Sequence, residues 1–358
     1  MRILIDLGHP GHVHLFKNLI KELRIKGHEF LITARNKDVS FSLLKSLDIK
    51  YFNRGKGYKS ILGKALGMFV IDYKILKQAL WFKPDILIGG VGNVYIAQVA
   101  KLLGKPSIIF DDTEHAKLEL AFVRSFSNCV LTPDFYKLYL GKNQIRYSGL
   151  HELAYLHPNY FSPDRSILTE LNVDEGEKYF ILRFISWNAS HDIGQNGLNF
   201  AEKRQLIDLL KKSGKVFISS EIKLNEEFEP YRFNLSPEKM HDALAFADLY
   251  IGEGATMASE CAVLGTPAIY INSLAVGNCT EEEKKYQLVF NFRSAEGILK
   301  KTLELIQMPN LHETFQLRRK KLLNDKIDLT AFMVWFVENY PQSFKTIKKN
   351  PDYQYNFK

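Results

Sequence analysis

The sequence predicts an α/β protein of two doubly wound domains, each a parallel sheet covered by helices on both faces, with the two domains facing across a cleft. Three observations predict it. Short apolar runs alternate with longer amphipathic stretches of helical period along most of the chain, the pattern of parallel strands joined by crossover helices. That rhythm breaks once, near residue 150, and then resumes. With 358 residues, 46% hydrophobic and 25% charged, the chain has length and apolar content for two cores.

In order, "RILIDLG" from residue 2 reads as a buried strand, followed by a helix on which Leu15, Phe16, Leu19, Ile20 and Leu23 repeat and Gly27 supplies a stop. "EFLITAR" is the next strand and "SFSLLKSL" a short helix; "PDILIGG" is another strand, with "YIAQVAKLLG" as its helix. "PSIIFDD" and "NCVLTP" complete the strands of the first domain, residues 1–155. The turn-rich "IRYSGLHELAYLHPNYFSPDRS" reads as a connector. The second domain, residues 156–340, runs through strands "KYFILRF", "KVFISSE", "LYIGEG" and "PAIYIN", separated by helical stretches, and ends on "DLTAFMVWFVENY". The polar tail, residues 341–358, is expected to be loosely held.

Composition narrows the class. No apolar run approaches the roughly 18 residues that span a bilayer, and no cleaved signal peptide is expected ahead of a strand that begins at residue 2. Cys129, Cys261 and Cys279 have neither disulfide-framework nor zinc-site spacing, which points to a reducing, cytoplasmic setting. Residues 1–83 hold sixteen Lys/Arg and six Asp/Glu, a local net of +10 in a chain of net +8. That surface is either simply solvated or meets a polyanion or anionic head groups at the inner face of the membrane. Residues 54–83 mix lysines with Leu, Ile, Met, Phe and Trp at near-helical spacing, which suits an interfacial helix or a core-facing one. No nucleic-acid motif is present, so no nucleic-acid partner is expected.

Ligands of such sheets bind beyond the carboxyl ends of the strands, and six strand ends carry candidate chemistry. "DLGHPGHVH" places Gly8, His9, Gly11, His12 and His14 after the first strand. Its glycines permit close approach and the helix start favours an anion, with His9 or His12 as a base or donor. The histidines diverge and no carboxylates accompany them, so no metal is expected. "GGVGNVY", residues 89–95, offers Gly89, Gly90 and Gly92 for ligand approach or for a tight junction. "FDDTEHAK" crowds Asp111, Asp112, Glu114 and His115 together, which suits acid-base work or plain helix capping. "RFISWNASHDIG" brings Arg183, Ser186, Trp187, Asn188 and His191 to a strand exit, and "FISSE" adds Ser219, Ser220 and Glu221. In "IGEGATMASE", Gly252 and Gly254 free the backbone, and the N–H groups of Ala255, Thr256 and Met257 open a helix toward an anion. Glu260, one turn in, leans back toward that end. It suits a ribose diol on a nucleoside diphosphate, or else is a surface acid. Glu253 has no evident role.

On these motifs the chain resembles the GT-B superfamily of nucleotide-sugar enzymes, which includes the UDP-N-acetylglucosamine 2-epimerases and the N-acetylglucosaminyltransferase of peptidoglycan synthesis. "GHPGHVHLF", "RFISWNASHDIG", "VFISSE" and "GEGATMASECAVLGTPAIYIN" look like a domain-of-unknown-function family of proposed glycosyltransferases, over about residues 1–340. The resemblance implies two Rossmann-like domains, with the diphosphate on Gly254 to Met257 and the ribose on Glu260. It also implies a final helix, around Thr330 to Tyr340, that crosses back to the first domain. The epimerases carry catalytic groups on a Gly-Asp-Thr turn and on a glutamate after the next strand. Here that turn reads Val91-Gly92-Asn93, without the aspartate, while Glu114 falls near the second position. "GGVGNVY" looks more like the acceptor-side glycine loop of the peptidoglycan transferase. The expected activity is transfer from a nucleotide-diphosphate sugar, UDP-linked, to a glycan or lipid-linked acceptor in cell-surface polysaccharide synthesis, with no metal cofactor. An epimerase or hydrolase of the same donor, and a non-catalytic sugar-nucleotide binder, are the alternatives.

Overall fold

Seven short apolar strands, all parallel, form the sheet of the first unit in the order β3-β2-β1-β4-β5-β6-β7. They are β1 (Arg2–Leu7), β2 (Glu29–Arg35), β3 (Phe52–Gly55), β4 (Ile86–Gly89), β5 (Ser107–Phe110), β6 (Cys129–Pro133) and β7 (Gln144–Tyr147). Between them run α1 (Pro10–Ile25), α2 (Ser40–Ser46), α3 (Ile61–Phe82), α4 (Val94–Leu103) and α5 (Lys117–Phe126). The computed structural model describes residues 1–57, 61–114, 117–185, 197–220, 223–273 and 276–358. Strands buried on both faces must be apolar throughout, and β4, β5 and β6 are buried at every position. One core fills the space under α3, α4 and α5, where Leu4, Ile71, Ile75, Leu87, Ile96, Val99, Ile109 and Val130 meet.

After the short helices α6 (Leu153–Leu156) and α7 (Ile167–Glu170), the second unit spans Leu156–Asp325. Its parallel sheet has the order β12-β11-β10-β8-β9, from β8 (Tyr179–Phe184), β9 (Lys215–Ser220), β10 (Leu249–Gly252), β11 (Ala268–Ile271) and β12 (Val289–Phe292). The helices are α8 (Phe200–Leu210), α9 (Met240–Phe246), α10 (Ala255–Leu264), α11 (Gly277–Glu281), α12 (Ile298–Ile306) and α13 (Leu311–Asp325). All seven residues of α10 from Ala258 to Leu264 are buried, as suits a helix covered on every side.

The carboxyl terminus returns its last long helix to the first unit, as the resemblance implies, but departs from expectation in where the second unit ends and in the order of the tail. Residues 326–358 belong to the first unit together with residues 1–155, so the second ends at Asp325 rather than at residue 340. The tail is ordered. Helices α14 (Leu329–Glu338) and α15 (Gln342–Lys349) are followed by a 3-10 turn, Pro351–Phe357. Ile347, Ser343 and Gln354 are buried, and Gln354 Oε1 accepts the Ser148 N–H at 2.6 Å. Polar composition suggested a loose end, but its few apolar rings close on Trp335, which lies 4.9 Å from Tyr353 and 5.2 Å from Phe357 between centroids.

Candidate functional site

In each sheet the strand order reverses beside a central strand, and that switch point is where parallel sheets bind ligands. In the first it falls between β1 and β4 and in the second between β8 and β10, and of these β1, β4 and β10 lead into the glycine turns.

Asp6, near the end of β1, is fully buried, and its carboxylate accepts from Thr33 Oγ1 (2.6 Å), Arg54 Nε (2.8 Å) and Asn93 Nδ2 (2.7 Å). Such pairing is what permits a buried charge. The Nδ2 of Asn93, in the "GGVGNVY" turn, is therefore committed to Asp6 in the core of the first unit. His9 is exposed and caps α1, its Nδ1 accepting the Gly11 N–H at 3.1 Å. His12 is buried. Its Nδ1 accepts the Gly8 N–H at 3.2 Å, which assigns its proton to Nε2. Burial, reinforced by the His151 charge and partly offset by Asp112, pulls its pKa down to about 3. It is a neutral hydrogen-bond donor at physiological pH. A Cβ on Gly90 would come within 2.7 Å of this ring, so glycine there makes room for the imidazole.

Beyond β5, Asp111 is 1% exposed and accepts the Thr113 N–H at 2.9 Å. Burial pushes its pKa up to about 7, with Asp112 adding and the backbone donors opposing. Asp112 Oδ2 lies 3.0 Å from His151 Nδ1. Burial disfavours both charges, yet each partner outweighs it for the other: Asp112 is held below the usual carboxylate range and His151 above the usual imidazole range. His151 stacks on Tyr147 with centroids 6.4 Å apart. Its Nε2 and the hydroxyls of Tyr136 and Tyr147 are buried with no hydrogen-bond partner among the described residues. Glu114 turns elsewhere, accepting the N–H groups of Lys137 and Leu138. His115 lies outside the described residues. His151 was missed from the sequence because it sits in the connector, 39 residues from Asp112, and no spacing rule links the two.

At the edge of the second sheet, Arg183 on β8 donates to Ser219 Oγ on β9 at 2.7 Å, and the two are register partners, with Ser220 following. Gly252 is the partner of Arg183 on the other side. A Cβ on Gly252 would fall 2.2 Å from Tyr250 Oη and 2.8 Å from Arg183 Cβ. Gly254 is the N-cap of α10 and offers no side-chain cap, so the first-turn N–H groups at Ala255, Thr256 and Met257 have no partner within the helix. Glu260 is 5% exposed, with Oε1 3.0 Å from His241 Nε2 of α9; the pair is internal rather than a surface acid. Glu253 gains a clear role. Its carboxylate accepts the N–H groups of Ile185 (3.0 Å) and Leu198 (2.9 Å), with Lys203 Nζ 3.7 Å away. It thus ties the end of β8 to the residues that lead into α8. Ser186, Trp187, Asn188 and His191, like Glu221, lie outside the described residues. Among the described residues no three His, Cys, Asp or Glu side chains converge as a metal site would require.

A family model covers residues 1–338. The chain belongs to the DUF354 family. That family is described as a protein of unknown function. This DUF354 chain is 27% identical over 294 residues, 75% of it and 80% of the relative, to an uncharacterized protein from Methanocaldococcus jannaschii. It also resembles the UDP-GlcNAc 2-epimerase from Neisseria meningitidis bound to UDP-GlcNAc, at a TM-score of 0.65 and 12% identity over 88% of this chain and 94% of that one. Spinosyn rhamnosyltransferase complexed with spinosyn aglycone gives a TM-score of 0.65 at 12% identity over 95% and 100%. The UDP-GlcNAc 2-epimerase from Methanocaldococcus jannaschii gives 0.62 at 12% over 90% and 99%. At these identities the likeness establishes the GT-B fold of two parallel-sheet α/β domains and leaves the reaction open.

Proposed function

We propose that this DUF354 protein is a glycosyltransferase that uses a nucleoside diphosphate sugar, UDP-linked, and transfers the sugar to a hydroxyl of a glycan or lipid-linked acceptor. The second unit is assigned the donor. Its diphosphate rests on the first turn of α10, where Gly254 leaves the backbone bare, and Glu260, oriented by His241, takes the ribose diol. Arg183, Ser219 and Ser220 line the same sheet edge. The first unit is assigned the acceptor and its proton. In a single displacement the acceptor oxygen bonds to the anomeric carbon, the bond from that carbon to the phosphate oxygen breaks, and the nucleoside diphosphate leaves. The acceptor proton passes to His151 Nε2, while Asp112 steadies the imidazolium that forms. Neutral His12 donates from Nε2 to an acceptor oxygen.

One observation carries this reading. Three buried polar atoms with no partner among the described residues, His151 Nε2, Tyr136 Oη and Tyr147 Oη, gather about the Asp111–Asp112 carboxyls, whose charges act on both phenols. Leaving such atoms unpaired costs roughly 1–3 kcal/mol each, a cost that a bound substrate would remove. The epimerase reading is weaker, because Asn93 stands at the turn where the resemblance would require an aspartate and its amide is committed to Asp6. The test is incubation with UDP-sugars, with and without sugar acceptors. Acceptor-dependent release of UDP, abolished in His151→Gln, is expected. Release of UDP with an altered sugar and no acceptor would replace transfer by epimerisation or hydrolysis.

A further inference from the structure

We propose that the first unit docks on an anionic lipid surface through the outer face of α3. This helix has two apolar faces where a surface helix ordinarily has one. Ile71, Ile75, Ala79 and Phe82 are buried in the core. On the other side Leu66, Phe69, Tyr73, Leu80 and Trp81 are 69%, 68%, 66%, 58% and 75% exposed. Positions 66, 69, 73, 77 and 80 follow the three-and-four step of one helical stripe. Large apolar side chains concentrated on one exposed element mark an interaction surface, whereas scattered ones would not.

Charge selects the occupant. The residue that completes the stripe is exposed Lys77, and exposed Lys83 follows at the end of the helix. The only acid on α3 is Asp72, part-buried and raised by burial to a pKa of about 7. Residues 61–83 hold four lysines against this one acid, a net of +3. A second copy of the chain meeting this face about a two-fold axis would set these lysines against their own mates. Anionic head groups neutralise them instead, and juxtaposed Lys residues strengthen such contacts. The side chains are those of a membrane interface: Trp81 and Tyr73 carry amphipathic rings that sit at head-group depth, and lysine stems lie along apolar surface with the ammonium in water. No described helix is long and apolar enough to cross a membrane, so α3 lies in the interface plane.

The proposal stands apart from the donor and transfer assignments, and its test contains neither donor nor acceptor. The chain is sedimented with vesicles of phosphatidylcholine alone and with vesicles of roughly one-third phosphatidylglycerol. Binding to the anionic vesicles at least about tenfold above the neutral ones is expected, weakened by salt. A blue shift of tryptophan emission should accompany it and disappear in Trp81→Phe. The double variant Phe69→Ser with Trp81→Ser should bind about tenfold less with its thermal midpoint unchanged, since both side chains are already in water. Lys77→Glu with Lys83→Glu should lose the anionic preference. Failure of the wild type to sediment, equal sedimentation of the double variant, or a concentration-dependent dimer broken by Trp81→Ser would each overturn it.

Discussion

Asp111 illustrates how one side chain at the first sheet edge sets a cost that the rest of the unit must carry. Its carboxyl titrates near 7 in the fold, against an ordinary 3.8 in the unfolded chain. Between those values the folded state binds the extra proton, so stability falls as pH rises through the window of about 4 to 7. Asp111→Asn cannot ionise. The variant should gain on the wild type by up to about 4 kcal/mol between pH 4 and pH 8, read from urea unfolding at several pH values. Parallel curves would remove the assignment. The neighbouring pair makes the opposite kind of prediction. As a base, His151 works only when neutral, so activity should rise with pH through its raised pKa. Asp112→Asn withdraws the charge that raises it, so the acidic limb of the kcat/KM profile should move to lower pH while kcat falls by about a hundredfold. An unmoved limb would detach Asp112 from catalysis. Asp112 was legible as one of a run of acids following a strand. His151 was not, because its significance lies in a contact that only the fold creates.

At the scale of elements, the beginning of α10 separates two glycines that look alike in the sequence. Gly252 is required by packing: a Cβ there would meet Tyr250 and Arg183, and Gly252→Ala should cost about 1–3 kcal/mol. Gly254 has ordinary angles, φ −101° and ψ 122°, and a Cβ there would have only Ile185 Cγ2 at 3.6 Å. Gly254→Ala should therefore leave the thermal midpoint within a degree or two while weakening UDP binding by about tenfold, measured by calorimetry. Undiminished affinity would show that nothing needs to approach that backbone. The elements themselves were largely readable, since apolar runs such as "ILIG" and "SIIF" are what a strand covered on both faces demands. The strands that escaped were β3, β7 and β12. In β7 the exposed Arg146 interrupts an otherwise buried run, and β3 and β12 are only partly buried, so each edge strand lacks the continuous apolar signature. Glu253 was opaque for another reason: its partners are backbone N–H groups of residues 185 and 198, which leave no trace in residue types.

For the whole molecule the telling feature is that the first unit is discontinuous, with residues 326–358 completing a fold begun by residues 1–155. Helix α14 is buried at Leu329, Phe332, Met333, Phe336 and Val337 and packs on α1. Polar ties fix its register. Ala154 O accepts from both Asn18 Nδ2 (2.8 Å) and Thr330 Oγ1 (2.7 Å), and Lys326 Nζ donates to Asp134 at 2.8 Å. Glu338 bonds to Lys26 and to His28, the latter at 3.1 Å. Removing α14 would take at least five large buried apolar side chains out of the core of the first unit, each worth roughly 1.5–3 kcal/mol, against a total stability on the order of 5–15 kcal/mol for a domain. Residues 1–155 expressed alone should therefore be insoluble or molten. Because Ala154 and Thr330 touch, a short Gly/Ser linker from Tyr155 to Lys326 should restore a cooperative two-state unit, followed by circular dichroism and hydrogen exchange. Deleting only residues 351–358 removes the rings that close on Trp335 and the Gln354 bond to Ser148, and should lower the thermal midpoint by several degrees without abolishing folding. If residues 1–155 fold as cooperatively as the linked form, the carboxyl-terminal return is an appendage. If the linked form alone folds, the first unit is one domain made of two stretches of chain, and its boundary is set by packing, not by sequence order.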